Sequence, residues 1–241
     1  MRRPERHNAI NSAMQVELIA ALEQAAAGSC RVLVLTGAGE SFCSGLDLEA
    51  QSDGLGKTKA DYLAEAQRVA QLFLSLYELP IPSIALVRGA ALAGGAGLAV
   101  LCDFTLATPN ATFGFTEVKV GVAPALLAVF LPLLLGEKRS RDLLLSGRIV
   151  KVDEAMRLGL VNEIVPHEEL LQRVEALAGM LTANSSVSLG ATKRHLATQN
   201  QAWLVAAITG AIEVSAESRQ SAEFREGVAA FLGKRKPVWA K

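Results

Sequence analysis

Three short stretches of this 241-residue chain carry residue types that could do chemistry. In residues 113–124, FGFTEVKVGVAP, a carboxylate, Glu117, stands among apolar residues ahead of Gly121 and Pro124. Burial disfavours a charged carboxylate and moves its pKa toward the range where it can give and take protons near neutral pH. A surface glutamate paired with the nearby Lys119 is the alternative on these residues alone. Residues 89–98, GAALAGGAGL, are nearly all small, follow a strand and open a helix. Such backbone can approach a ligand closely, and its helix-start amides, from Gly94 on, can hold an anionic oxygen. Each such donor contributes on the order of 3 kcal/mol to a transition state. Close helix–strand packing is the structural alternative. A dinucleotide fingerprint does not fit, because the glycine spacing is wrong even though Glu117 falls near the expected acidic position. In residues 41–48, SFCSGLDL, Gly45 permits a tight turn that leaves the Leu46 N–H unpaired, although an ordinary strand-end turn reads the same way.

These stretches must be held by elements whose patterns are visible around them. Asn11-Ser12 can cap a helix from about Ala13 to Ala27, with Met14, Leu18, Ala21, Leu22 and Ala25 at helical spacing. Residues 31–36, RVLVLT, read as a buried strand, residues 51–60 as a mobile surface loop, and residues 61–77 as an amphipathic helix. Strands follow at 83–87 and 103–107, with a short one at 112–115. From about Lys138 onward the pattern is helical almost throughout. Two strand–helix–strand passages predict an α/β core with right-handed crossovers. No linker, internal repeat or low-complexity tract divides the chain.

Bulk properties exclude several classes. With 24 basic and 24 acidic residues the net charge is zero, which gives no support to a nucleic-acid surface. Cys30, Cys43 and Cys102 lack the spacing of a zinc site or a disulfide framework, so no metal is expected. The apolar stretch 122–135 is too short to span a bilayer and contains Pro124 and Pro132, so no membrane partner is expected either. The expected location is cytoplasmic. His7, His167 and His195 read as surface or capping residues, Asp47 and Asp103 as structural groups bonding nearby amides, and Cys43 and Cys102 as small core residues.

Taken in order and spacing, the motifs resemble the crotonase (enoyl-CoA hydratase/isomerase) family over nearly the whole chain. Residues 3–10, RPERHNAI, resemble its R-P-x-x-x-N-A-[LI] opening. Residues 42–48 resemble its F-x-x-G-x-D-[LI] loop, and residues 89–103 its G-x-x-x-x-G-G-x-x-L-x-x-x-C-D block. Leu145-Ser146-Gly147, Glu154-Ala155 and Gly159-Leu160-Val161 match its later T-G…E-A…G-L-V run, and residues 231–237, FLGKRKP, its F-x-x-K-R-x-P ending. The family usually has a further strand before the opening segment, so the resemblance implies a sheet edge left open or covered by a neighbour.

The resemblance implies a crotonase-like spiral of β-β-α units over residues 1–190 and a helical trimerisation region over 191–241. It also implies an acyl-CoA substrate, no separate cofactor, and a homotrimer or dimer of trimers. By the same resemblance the amides of Leu46 and Gly94 grip the thioester carbonyl and Glu117 is the catalytic carboxylate. Leu46, Asp47, Leu48, Glu49 and Gly94 line the CoA-ester site, while Phe231 and Lys234 approach the nucleotide end, commonly across a subunit boundary. Where a typical hydratase of the family has its first catalytic glutamate, this chain has Gly97. That departure resembles bacterial enoyl-CoA hydratases lacking the first glutamate. The implied reaction is water addition to a 2-enoyl-CoA. Double-bond migration by Glu117 alone, a non-catalytic acyl-CoA-binding protein, and a spiral-fold serine peptidase at Ser44 remain as alternatives.

Overall fold

The computed structural model describes residues 1–52 and 57–240, and two small sheets stand at its centre. The first is parallel, with β1 (Leu33–Thr36), β2 (Ser83–Val87), β4 (Phe104–Ala107) and β7 (Glu163–Ile164) in the order β1-β2-β4-β7. The second joins β3 (Ala90–Leu92), β5 (Thr112–Gly114) and β6 (Ile149–Lys151), with β3 and β5 parallel and β6 antiparallel to β5. All of β2 is buried. A strand covered on both faces reads as a continuous apolar run, as its Ile84–Val87 segment does.

Each turn of the chain adds one strand to each sheet and then a helix. β2 leads through β3 into α4 (Gly94–Leu101), and β4 leads through β5 into α5 (Ala125–Leu135). The first turn follows the same course more sparingly: after β1, Cys43 bridges to Ala91 in the second sheet before α2 (Leu48–Ser52) and α3 (Lys59–Tyr77). The expected α/β spiral of β-β-α units is therefore the observed fold. Phe42, Phe73, Phe113, Phe115 and Phe130 are fully buried between the sheets and helices.

The helix α1 (Ser12–Ala27) begins where the Asn11 side chain accepts the Met14 N–H at 2.9 Å. A reciprocal cap between Thr58 and Asp61 starts α3 two residues earlier than its periodicity suggested. The first strand begins at Leu33, whose N–H donates to the Pro82 carbonyl at 2.8 Å, while Arg31 turns outward to the Thr182 and Asn184 carbonyls. Met1 lies against the outer strand, its amine donating to Thr36 O at 2.8 Å. Of the loop expected at 51–60, residues 53–56 lie outside the described residues, and Lys59 already belongs to α3.

The later part of the chain holds α6 (Glu137–Ser146), α7 (Val152–Leu158), α8 (Leu170–Thr182), α9 (Ser186–Thr198), α10 (Gln201–Gln220) and α11 (Ala222–Leu232). It is not helical throughout, because β6 and β7 interrupt it. At three and two residues they are too short to impose a visible alternation. Residue 190, the expected boundary, falls within α9. α10 packs on α3 and α5, and α11 packs on α2 and on the 3₁₀ turn Glu117–Val120, so both helices reach back to the core of their own chain. No described helix is long and apolar enough to cross a membrane.

Candidate active site

The loop at 41–48 is held by the N-terminal segment. Asn8 is fully buried, and its Nδ2 donates to the carbonyls of Ala38 and Ser41, each at 2.8 Å. Arg3 presents its backbone N–H to Asn8 Oδ1 at 2.8 Å and its Nη1 to Ala9 O at 2.6 Å and Asp47 Oδ2 at 3.0 Å. The other oxygen of Asp47 accepts the Ala50 N–H at 3.3 Å. The Arg-Pro-x-x-x-Asn motif thus acts as a clamp, and the Asp47 carboxylate is occupied in holding the loop.

Gly45, at the tip of that loop, has φ +88°, and a Cβ there would lie 2.8 Å from Ala93 Cβ and 3.4 Å from Gly94 N. Only glycine lets the two backbones approach this closely. Ala93 is itself strained, with φ 49° and ψ −128°, and is held by its N–H bond to Gly114 O at 2.7 Å. Such conformations cost about 1–3 kcal/mol and recur where a backbone group is aimed at a ligand. Here the aimed group is Gly94 N–H, first in α4. Neither it nor Leu46 N–H donates a hydrogen bond among the described residues. Gly95 is equally constrained, because a Cβ would meet Cys43 O at 2.3 Å.

Glu117 opens its 3₁₀ turn and faces the same cavity, a space of about 480 Å³ that Leu46 and Gly94 also line. The residue is only partly covered, yet its Oε2 has no contact with solvent and no hydrogen-bond partner. Desolvation pushes its pKa up from 4.5 to about 7, against the pull of its own backbone N–H and of Arg219. Burial thus brings the carboxyl toward the range where it can exchange protons near neutral pH. Val69, Leu72, Phe73, Leu126 and Leu127 form the apolar wall.

The structure gives a reason for Gly97. A Cβ there would lie 2.5 Å from Leu127 Cδ2 and 3.1 Å from Phe73 Cζ. The place from which a second carboxylate would project is filled by an aliphatic and an aromatic side chain. Of the other acids at the cavity, Asp47 is bound to Arg3, Glu49 at the mouth pairs with Arg6 at 2.5 Å, and Glu5 is exposed.

Leu48 and Phe231 also line the cavity, with Phe231 coming from α11 of the same chain. Lys234 does not line it; it lies exposed beyond α11. The neighbouring Arg235 is committed to Glu226 by two bonds, at 2.6 and 2.7 Å. His7 Nδ1 meets Ser41 Oγ at 3.1 Å, and its bond with Ser44 is a backbone one, Ser44 N–H donating to His7 O at 3.0 Å, so no side-chain Ser44–His pair is formed among the described residues. Asp103 accepts from the Ser83 N–H and hydroxyl, and Cys43 and Cys102 are buried. Among the described residues no group of three or more His, Cys, Asp or Glu could hold a metal ion.

Sequence reasoning passed over Arg219 and Ser215, both buried on α10 and both lining the cavity. A signal was present. Leu204, Ile208, Ala211, Ser215 and Arg219 recur at three- and four-residue spacing, which puts the arginine on the apolar face of its helix.

Comparison with known proteins follows the geometry closely. The family model described as enoyl-CoA hydratase/isomerase matches residues 1–241. A Thermus thermophilus relative bearing an enoyl-CoA hydratase name is 37% identical, over 97% of this chain and 93% of its own length. The crotonyl-CoA hydratase of Syntrophomonas wolfei is 32% identical over 97% of this chain and 90% of its own. Among solved structures, an enoyl-CoA hydratase/isomerase from Xanthobacter autotrophicus superposes with a TM-score of 0.87 at 29% identity, covering 97% of this chain and 93% of that one.

Proposed function

This chain belongs to the enoyl-CoA hydratase/isomerase family, and from that premise we propose that it adds water to a 2-enoyl-CoA thioester. The observation that carries this reading is the buried Glu117 Oε2, which has no hydrogen-bond partner, in one cavity with two amides that have no acceptor of their own. The thioester oxygen accepts from Leu46 N–H and Gly94 N–H. Charge that develops there during addition is stabilised by about 3 kcal/mol per donor. Glu117 takes a proton from water as the water oxygen bonds to the β carbon, and a proton passes from the carboxyl to the α carbon. One group then serves as base and acid in turn, which a carboxyl titrating near neutrality suits. The relatives' hydratase names favour water as the co-substrate.

In this reading residues 46–49 line the CoA arm, and its nucleotide end leaves by the mouth where Arg6, Lys119 and Phe231 gather. Lys234, exposed and outside the cavity of its own chain, would approach CoA phosphate across a subunit boundary. The helices beyond residue 190 supply the contacts of a homotrimer or dimer of trimers, which sedimentation velocity tests.

A second reading has its own support. The apolar packing at Gly97 leaves a single carboxylate, and one carboxylate suffices to remove a proton from a 3-enoyl-CoA and return it two carbons away. Assays with 2-enoyl-CoA and 3-enoyl-CoA esters separate the two. Loss of the conjugated enoyl absorbance from the 2-enoyl ester supports hydration, and its appearance from the 3-enoyl ester alone supports isomerisation. Glu117→Gln abolishes either activity while CoA-ester binding persists; retained turnover overturns the assignment of Glu117.

A further inference from the structure

Behind Glu117 lies a buried charge cluster that the chemistry above does not use. Arg219 is 4% exposed and lines the same cavity as Glu117. Its Nη1 is 3.3 Å from Oε2 of Glu65, a residue of α3 that is 7% exposed. Lys57 holds the other oxygen of Glu65. Two cations thus share one carboxylate, which leaves one excess positive charge; the Arg219 end of the cluster is buried, while the Lys57 side chain is 29% exposed. An ionised Glu117 balances that excess, whereas a protonated one leaves it uncompensated.

Other charged groups near the 3₁₀ turn are engaged differently. Lys119 on the turn, and Glu223 and Arg225 on α11, are exposed, and Asp142 and Arg148 at the end of α6 pair with each other at 2.6 Å. Arg219 makes no direct ion pair with Glu117; the two line one cavity, and Ser218, the residue before Arg219, accepts the Ala123 N–H just beyond the Glu117 turn at 3.3 Å.

We propose that Arg219 is a positioning residue for the proton transfer: its guanidinium compensates the Glu117 carboxylate, and Glu65, secured by Lys57, holds the guanidinium in place. The inference rests on the reading of Glu117 as the acid/base. Its physical content is a balance between two opposed effects. The apolar wall disfavours the ionised carboxylate, and the guanidinium favours it. Without Arg219 the wall prevails, and the base form that begins the reaction becomes scarce at neutral pH.

The test titrates Glu117 directly, by carboxyl ¹³C NMR, with the resonance assigned by its loss in Glu117→Gln. In parallel, kcat/KM for a 2-enoyl-CoA is followed against pH. Arg219→Met keeps much of the aliphatic stem and leaves Glu65 paired with Lys57. It is expected to raise the proton affinity of Glu117 about tenfold and to shift the acidic limb of the pH profile by the same factor. Arg219→Lys should restore most of the change. Glu65→Gln keeps an amide oxygen that can still accept from the guanidinium and so hold it, while removing a negative charge from the cluster; it should move the midpoint the opposite way, which mere loosening of the packing would not do. Lys59→Met, at an exposed cation near Glu213 and Glu217, should leave the midpoint unchanged.

An unmoved midpoint in folded Arg219→Met, or the same direction of shift in Arg219→Met and Glu65→Gln, overturns the proposal. If Arg219→Met does not fold, Arg219→Lys and Glu65→Gln decide by the sign of their shifts. If the midpoints move as expected but no enoyl-CoA is turned over, the charge coupling stands and the hydration reading fails.

Discussion

Replacing Glu117 by glutamine should stabilise the protein, and only at neutral and alkaline pH. The folded chain holds the Glu117 proton up to about pH 7, while an unperturbed glutamate releases it near 4.5. Between those values the folded state binds more protons than the unfolded one, so this group's contribution to stability falls as pH rises through the window. Above pH 7 the folded state carries a desolvated carboxylate whose cost, from the gap between the two pKa values, is about 3 kcal/mol. Glutamine has nearly the same shape and no charge to desolvate. The difference in unfolding free energy between Glu117→Gln and the parent should therefore grow by up to about 3 kcal/mol from pH 4.5 to pH 8. For a chain of this size that corresponds to a Tm difference of roughly 5–10 °C at the alkaline end. Thermal or denaturant unfolding of both proteins, at matched concentration because association also stabilises, gives the number. A difference that is flat with pH, or that shrinks as pH rises, would refute the claim that desolvation governs this carboxyl.

Further expectations follow from the same geometry. Gly97→Glu alone should not raise turnover of a 2-enoyl-CoA, because Leu127 and Phe73 occupy the space; combined with Leu127→Ala it has room to enter, and steady-state kinetics compares the two. Gly45→Ala places a methyl group 2.8 Å from Ala93 Cβ at a φ of +88° and should lower kcat by about 10²-fold or more by displacing an oxyanion donor, with far-UV circular dichroism little changed. Arg3→Ala removes the bonds to Ala9 O and Asp47 and should cost about 1–3 kcal/mol of stability, measured by urea unfolding, and raise KM for the CoA ester. Cys43 and Cys102 are buried, with thiols pushed up to about 12 by desolvation. A thiol reagent should label Cys30 alone in the native protein at pH 8 and all three cysteines in denaturant, as mass spectrometry of the labelled protein will show.

The parts of the candidate site that the sequence points to are local. A carboxylate before Gly121, glycines at 45, 94 and 95, and an Arg-Pro-x-x-x-Asn opening are each set by the conformation of a few consecutive residues. The positive φ of Gly45 and the close approach at Gly95 demand those residues wherever the motif occurs. The α/β core was legible for a related reason, since buried parallel strands write themselves as apolar runs; the spiral of β-β-α units was implied by the resemblance of the motifs. By contrast, β6 and β7 escaped because two or three residues cannot show a period.

What only tertiary structure decided concerns contacts between distant segments. The absence of a carboxylate at 97 is visible in one letter, but the filling of its place by Leu127 and Phe73 is a matter of packing between α3, α4 and α5. Arg219 and Glu65 are separated by 154 positions, and either alone reads as a surface charge on an amphipathic helix. Their burial and their ion pair follow from α10 lying against α3. Local sequence determines backbone conformation and residue chemistry over a few positions. Desolvation and Coulomb coupling depend on what the rest of the chain brings within a few ångströms, and that is settled only when the helices pack.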